Sequence, residues 1–280
     1  MDEPPLAYRM WELHFEEGAT GNRVGRILLP IRYPKPVTGV ADLVEIPSAG
    51  LMDGASMQRS GANFLLLCLP PGSQTPYEMQ RTSETWVTGC GNEAEGDAVI
   101  EVPISGGRLR FRPGRGVMIG REEFLADTLA GIAHFIWLSH QVTALEAEIE
   151  DEWQVFQNDA EIVELANIGS LTRQRLVMQS AVATRRRQWF LRATIGLERS
   201  GASLSPRARR TFVELAVQSD LATRLKLLDD CIEAAEDLYE RHSDRITELR
   251  MFAKGLIVEI AILGAILAEF AVVLCDLLRE

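Results

Sequence analysis

Apolar and polar positions along the chain follow two different periods, one on each side of about residue 120. Short apolar or alternating runs occupy residues 26–32, 64–69, 98–104, 109–112 and 117–119. Pro and Gly separate these runs, and all of the 12 prolines except Pro113 and Pro206 fall within residues 1–103. Short alternating runs between turn residues are typical of β-strands. The pattern therefore predicts a β-rich α+β domain with an antiparallel sheet at residues 1–120.

The period changes at Arg121, and from there apolar residues recur at helical spacing. Three helices are predicted, over about residues 121–167, residues 171–198 and residues 206–278. Gly169 ends the first of them, while Ser205 and Pro206 have the composition of a helix start. Because helices joined by short turns pack antiparallel, residues 121–253 are expected to form an antiparallel helical or coiled-coil domain.

One apolar seam runs through the terminal helix, with steps that alternate between four and three residues. Its members begin with Leu221, Leu225, Leu228 and Ile232, and the same steps continue through Ala235, Tyr239, His242, Ile246, Leu249, Ala253, Leu256, Ile260, Leu263, Leu267, Phe270, Leu274 and Leu277. This is the period of a coiled coil. The seam predicts a packing surface along the whole helix.

The last part of the chain, residues 254–278, is apolar on all faces of the predicted helix. Only Glu259 and Glu269 are charged between Lys254 and Asp276. The length matches the roughly 20 residues that cross a bilayer core, but each acid opposes insertion by about 2.5–3.5 kcal/mol. We expect a transmembrane helix within an oligomer, because the acids could then face other helices.

Five residues are the expected intramembrane or oligomer contacts: Glu259, Gly264, Ala265, Ala268 and Glu269. Basic residues precede the segment, so the positive-inside rule leaves the rest of the chain in the cytoplasm. The prediction is a tail-anchored, single-pass protein of the inner or cytoplasmic membrane. The alternative is a cytoplasmic, soluble homo-oligomer in which the same helix is a buried core helix.

Charge is strongly segregated in the middle of a chain whose net charge is −11. Residues 122–172 contain acids and no Lys or Arg, whereas arginines dominate residues 173–210. The candidate contacts to nucleic acid or to anionic headgroups are Arg173, Arg175, Arg185, Arg186, Arg187, Arg192, Arg207, Arg209 and Arg210. Such arginines could bind phosphates. Neutralisation by the neighbouring acidic helix is the alternative that needs no ligand.

Catalytic signals are weak. The four histidines have no metal-ligand spacing, and the motifs HExxH, GxSxG and GxxxxGK[ST] do not occur. The stretch SGGRLRFRPGRG at residues 105–116 is predicted to form a β-hairpin with its arginines on the solvated face. We therefore expect no enzymatic activity, no cofactor and no metal.

Four segments carry a family resemblance. They are LAGIAHFIWLSHQVTALEAEIE (residues 129–150), ELANIGSLTRQRL (164–176), RLKLLDDCIEAAEDLYE (224–240) and GLIVEIAILGAILAEF (255–270). In order and spacing they resemble the required-for-meiotic-nuclear-division family, over roughly residues 120–275. The resemblance implies a non-enzymatic, single-pass inner-membrane protein, and mitochondrial members of that family are associated with support of mitochondrial translation.

The function that these patterns predict is a non-enzymatic, membrane-anchored oligomeric scaffold or tether with a cytoplasm-facing head. Its expected partners are further copies of itself, membrane lipid and a protein bound by the N-terminal domain. The alternative is an RNA- or ribosome-binding module that uses the arginines of residues 173–210.

Overall fold

The computed structural model describes residues 9–17, 25–45, 64–71, 75, 77–88, 98–164, 170–199 and 204–277. The chain divides into two compact units. Unit 1 comprises Met1–Glu150 and Gln188–Leu228, and unit 2 comprises Asp151–Arg187 and Asp229–Glu280. Because three long helices pass from one unit to the other, neither unit is a single continuous stretch of sequence.

Unit 1 is built on a seven-stranded mixed sheet with the order β2-β3-β1-β4-β7-β6-β5. The strands are β1 (Arg9–Glu16), β2 (Arg26–Ile31), β3 (Val37–Glu45), β4 (Phe64–Leu69), β5 (Ile100–Ile104), β6 (Gly107–Arg112) and β7 (Arg115–Ile119). Helix α1 (Tyr77–Thr88) lies between β4 and β5 in the chain. β4 and β7 are parallel, while every other described pairing is antiparallel.

Alternation along the central strands gives the sheet two apolar faces. On one face, Leu65 and Leu67 of β4 join Trp86 and Val87 of α1 in a buried cluster. On the other face, Phe64 and Phe111 stack with ring centroids 5.2 Å apart. A sheet that buries both faces needs a layer on each side, and the following helix supplies the second one.

Four helices follow the sheet in the chain. They are α2 (Leu125–Glu164), α3 (Ser170–Arg199), α4 (Pro206–Gln218) and α5 (Leu221–Leu277). The N-terminal half of α2 covers the aromatic face, where Phe135 meets Phe111 edge-on with ring centroids 5.3 Å apart. Gly131 lets α4 approach closely, since a Cβ there would lie 2.5 Å from the carbonyl oxygen of Ala208. Sheet and helices thus share one core in unit 1.

The single helix that we predicted from Pro206 to the end of the chain is wrong at one point. Its start is correct, because Ser205 caps it by accepting a hydrogen bond from the Ala208 N–H at 3.1 Å, with Pro206 in the first turn. The helix then stops at Gln218, and Asp220 adopts a left-handed backbone with φ of 51°. Helix α5 begins afresh at Leu221.

The α+β fold class is confirmed, with a β-sheet in the N-terminal region and helices in the C-terminal part. The five predicted strand segments coincide with β2, β4, β5, β6 and β7. The fully antiparallel sheet is corrected by the parallel pair β4 and β7. The predicted hairpin at residues 105–116 is present as the antiparallel pair β6 and β7. Its predicted solvated arginine face is wrong at Arg112, which is buried and donates from Nη1 to the Thr88 carbonyl oxygen at 2.7 Å. The three-part division at residues 120 and 253 stays a prediction.

The predicted transmembrane helix and tail anchor are wrong: no helix in the described part of the chain is long and apolar enough to cross a membrane. The charged residues Lys254 and Glu259 divide the apolar stretch of α5. In the sequence, the uninterrupted apolar run between Glu259 and Glu269 covers residues 260–268, which is much shorter than the roughly 20 residues that a bilayer core requires.

Candidate functional site

The predicted seam of α5 has two different environments. Leu221, Leu225 and Leu228 are buried in unit 1, and Ile232 and Tyr239 are buried in unit 2. This half of the seam packs against the chain's own helices, for example at the cluster of Leu176, Ala183 and Tyr239. Because intrachain packing already covers it, this half gives no support for a coiled coil between copies.

The other half of the seam is exposed, and we call residues 251–268 of α5 the terminal apolar segment. Its large apolar side chains each expose more than half of their surface: Met251, Phe252, Leu256, Ile257, Val258, Ile260, Ile262, Leu263, Ile266 and Leu267. Exposure runs from 55% at Ile262 to 76% at Phe252. Residues on every face of the helix belong to this set. Contiguous exposed apolar surfaces of this size are uncommon in monomeric proteins, so the segment is a candidate interaction surface.

Four of the five residues that we predicted as oligomer contacts lie on this segment. Glu259, Gly264, Ala265 and Ala268 are all exposed. The side chain of Glu269 lies outside the described residues. The segment therefore combines large apolar side chains with small residues that permit close approach of another helix.

Three of the predicted phosphate-binding arginines make ion pairs inside unit 2. Arg175 Nη2 donates to Asp159 Oδ1 at 2.5 Å, and Arg186 Nη2 lies 2.9 Å from Glu152 Oε2. Arg187 pairs with Asp229 and lies 3.8 Å from Glu236. These contacts join acidic residues of α2 and α5 to α3. They favour the alternative in which the arginines neutralise acids of the same chain.

The other arginines of the set are placed differently. Arg207 lies over the ring of Phe124, with its guanidinium carbon 4.3 Å from the ring centroid, and its Nη1 lies 4.0 Å from Asp127 Oδ2. Four more are exposed and make no ion pair with a residue that the structure describes: Arg185, Arg192, Arg209 and Arg210. The side chain of Arg173 lies outside the described residues. The predicted set is thus divided into paired structural arginines and free surface ones.

A buried carboxylate organises unit 2, and the sequence analysis missed it. Asp159 is completely buried, and besides Arg175 it accepts a hydrogen bond from the Tyr239 hydroxyl at 3.3 Å. Asp159 lies three residues after Phe156 in α2, on the same side of the helix. A carboxylate at this spacing from an apolar residue is the signal that could have found it. Buried charges need such partners. The three residues connect α2, α3 and α5.

Burial raises the pKa of Tyr239 to about 12, and the nearby Asp159 carboxylate adds to the shift. The folded chain then holds this proton more tightly than the unfolded chain, in which tyrosine has a pKa near 10. The stabilisation is complete below pH 10 and is lost as the pH rises from 10 to 12. We expect the free energy of unfolding to fall by about 2 kcal/mol over that range.

Urea titrations monitored by circular dichroism at several pH values check this expectation. Tyr239→Phe should flatten the pH dependence between 10 and 12. Tyr77→Phe is the matched control, because Tyr77 is 79% exposed. An unchanged slope in Tyr239→Phe would show that another group causes the loss.

One surface cavity among the described residues of unit 1 lies at the carboxyl ends of the parallel strands β4 and β7. It has a volume of about 530 Å³, and Arg9, Cys68, Arg121 and Glu122 contribute its polar groups. Arg9 pairs with Glu122 across it. Burial raises the pKa of the Cys68 thiol to about 12, so this sulfur stays protonated at neutral pH. Among the described residues that line this cavity, both arginines are paired, Arg9 with Glu122 and Arg121 with Glu123, and the Cys68 thiol is not a reactive thiolate.

A second cavity lies between β5, the β6–β7 turn, α2 and the turn from α4 to α5. Its volume is about 430 Å³, with an apolar floor that includes Phe111 and Phe135. Its polar lining comprises Ser139, His140, Gln218, Ser219, Asp220 and Arg224. Desolvation lowers the pKa of His140, so the imidazole is neutral at physiological pH. We call this space the α4–α5 cavity.

Among the described residues, no group of three or more His, Cys, Asp or Glu side chains is placed to hold a metal ion. The fold and these surfaces define an α+β protein whose mixed sheet is followed by long helices, the last of which exposes an apolar surface. Comparison of the chain with known protein families and with curated proteins finds no match. The resemblance to the required-for-meiotic-nuclear-division family therefore stays a prediction.

Proposed function

We propose that this protein is a non-enzymatic scaffold that assembles into homo-oligomers through the terminal apolar segment. The observation that carries the proposal is the exposure of apolar side chains on every face of residues 251–268. Water contact with so many large apolar groups is unfavourable by roughly 25 cal/mol for each Å² that association would bury. Association therefore has a strong driving force at this segment.

A second copy of the chain is the occupant whose surface matches the segment. Both copies present the same large apolar side chains, and the small residues Gly264 and Ala268 permit close approach of the two helices. A two-fold contact uses this surface on both copies. The helix–helix seam at Leu256, Ile260 and Leu263 is the finer prediction that is retained here.

The N-terminal sheet unit then remains available to a protein partner, as the sequence predicted. RNA or ribosome binding is the second interpretation, and four exposed arginines favour it: Arg185, Arg192, Arg209 and Arg210. Self-association is preferred because three arginines of the predicted set already form ion pairs with acids of unit 2: Arg175, Arg186 and Arg187.

Size-exclusion chromatography with light scattering tests the scaffold. The wild-type chain should have a weight-average mass that is a multiple of the chain mass. Ile260→Glu with Leu263→Glu should produce a monomer, because each new carboxylate would lose its hydration in the contact. We expect a dissociation constant raised at least about 100-fold.

The matched control is Val217→Glu with Leu227→Glu. These two side chains are 63% and 60% exposed, comparable with 61% and 57% at Ile260 and Leu263, but they lie outside the terminal apolar segment. The control should keep the wild-type mass. A wild-type chain that is monomeric across the concentrations of the assay, or equal masses for both double variants, would overturn the proposal.

A further inference from the structure

The α4–α5 cavity has features that the scaffold does not use. Its floor includes two rings, Phe111 and Phe135, which are 3% exposed, and the aliphatic residues Ile100 and Ile136 complete the apolar lining. Aromatic and aliphatic walls with a few polar groups are typical of small-molecule sites. A volume of about 430 Å³ suits a ligand the size of a bicyclic ring with a substituent.

The guanidinium of Arg224, on the wall of this cavity, is held in place and retains unused hydrogen-bond donors. Arg224 donates from Nε to Glu146 Oε1 at 2.9 Å, and from Nη2 to both Glu146 and Thr143. These contacts fix the guanidinium plane against α2. The Nη1 nitrogen makes no hydrogen bond with a described residue, so it retains two N–H donors.

A hydrogen-bond acceptor lies four residues before this donor, in the turn from α4 to α5. Asp220 also lines the cavity, and its carboxylate makes no hydrogen bond or ion pair with a residue in the described part of the chain. The Asp220 carbonyl oxygen accepts a hydrogen bond from the Arg224 N–H at 3.0 Å, so the two residues are neighbours at the start of α5. The Asp220 φ of 51° is a conformation that non-glycine residues adopt rarely.

The charges of the cavity argue against a strongly charged ligand. Glu146 neutralises Arg224, and the lowered pKa of His140 keeps that imidazole uncharged. Ser139, Gln218 and Ser219 add only neutral donors and acceptors. An anionic ligand would meet the Asp220 carboxylate, and a cation would meet Arg224.

We propose that the α4–α5 cavity binds an uncharged heteroaromatic ring whose edge presents a hydrogen-bond acceptor beside a donor, which is the chemistry of a nucleobase. The ring packs on the accessible apolar lining at Ile100 and Pro113, above the buried Phe111 and Phe135. Its acceptor receives an N–H of Arg224, and its donor is taken by Asp220. Such a base could belong to a free nucleoside or to single-stranded RNA.

Saturation-transfer NMR and calorimetric titration with the four ribonucleosides test this site. We expect at least one nucleoside to bind, and indole, which has a donor but no comparable acceptor, to bind more weakly. Asp220→Gly removes the carboxylate while glycine accepts the left-handed backbone without strain, so the fold is retained. Its affinity for the nucleoside should be about tenfold lower.

Asp230→Ala is the matched control, since Asp230 is an exposed aspartate of α5 that does not line the cavity. It should bind as the wild type does. Asp220→Asn is the second variant, because asparagine also tolerates the left-handed region and still weakens the acceptor. No binding of any nucleoside at millimolar concentration, or equal affinity in wild type and both Asp220 variants, would overturn the proposal.

An unstructured oligoribonucleotide separates the two sources of the base. Oligonucleotide binding that is tighter than nucleoside binding, and that Asp220→Gly weakens, supports the cavity and assigns it to RNA. Nucleoside binding that the oligonucleotide does not displace supports the cavity and assigns it to a free nucleoside or a related small molecule. Either result is independent of the oligomeric state.

Discussion

Arg175→Met should lower the free energy of unfolding by about 2–3 kcal/mol, because it removes the charged partner of a buried carboxylate. Arg175 holds the Asp159 carboxylate at 2.5 Å, and that carboxylate has no exposed surface. Methionine fills a similar volume but leaves the charge with only the Tyr239 hydroxyl at 3.3 Å. Chemical denaturation followed by circular dichroism measures the loss.

Arg185→Met is the matched control, because Arg185 is an exposed arginine of the same helix α3. It should change the free energy of unfolding by no more than about 0.5 kcal/mol. Adding Asp159→Asn to Arg175→Met should recover part of the stability, since the amide carries no charge to bury. Equal effects of the two arginine substitutions would mean that the Asp159 pair does not stabilise unit 2.

Gly107→Ala should destabilise unit 1 by about 3 kcal/mol or more, because the added methyl group would clash with backbone atoms. A Cβ at Gly107 would lie 1.9 Å from the carbonyl oxygen of Ile119 and 2.8 Å from the Cα of Gly120. Both obstructing atoms belong to the backbone, so relief requires β6 to move away from β7. Thermal and urea unfolding of the variant measure the cost.

Alanine substitutions at two other glycines distinguish the steric clash at Gly107 from the effect of backbone conformation alone. Gly114 has φ of 82°, but a Cβ there meets nothing within 4 Å, so Gly114→Ala should cost only about 1 kcal/mol. Gly255 lies in α5 with open space around it, and Gly255→Ala should stabilise the helix by up to about 1 kcal/mol. A Gly107→Ala variant no less stable than Gly114→Ala would contradict the close approach.

Much of the secondary structure could be predicted because its signals are local. The start of α4 depends on Ser205 and Pro206, two adjacent residues with a defined capping geometry. Strand β1 was missed because Met10 and Trp11 are both buried although they point to opposite faces, so alternation is absent there. Strand β3 was missed because Gly39 and Ala41 make its run weakly apolar.

The candidate sites were less predictable, because each depends on residues far apart in the chain. The arginine-rich stretch is evident in the sequence, whereas the pairing of Arg187 with Asp229 depends on the contact between α3 and α5. The α4–α5 cavity combines β-strand, α2 and α5 residues. No spacing in the sequence relates Phe111 to Asp220.

The sequence by itself determined the α+β class, the change from strands to helices near residue 120 and the continuous apolar seam of α5. Periodicity reports these features because side-chain direction repeats with the local backbone geometry. Only the tertiary structure decided how the seam is used: its first half is buried by the chain's own helices, and its second half remains exposed. Burial is a property of the whole packing arrangement, so two stretches with the same period can have opposite environments.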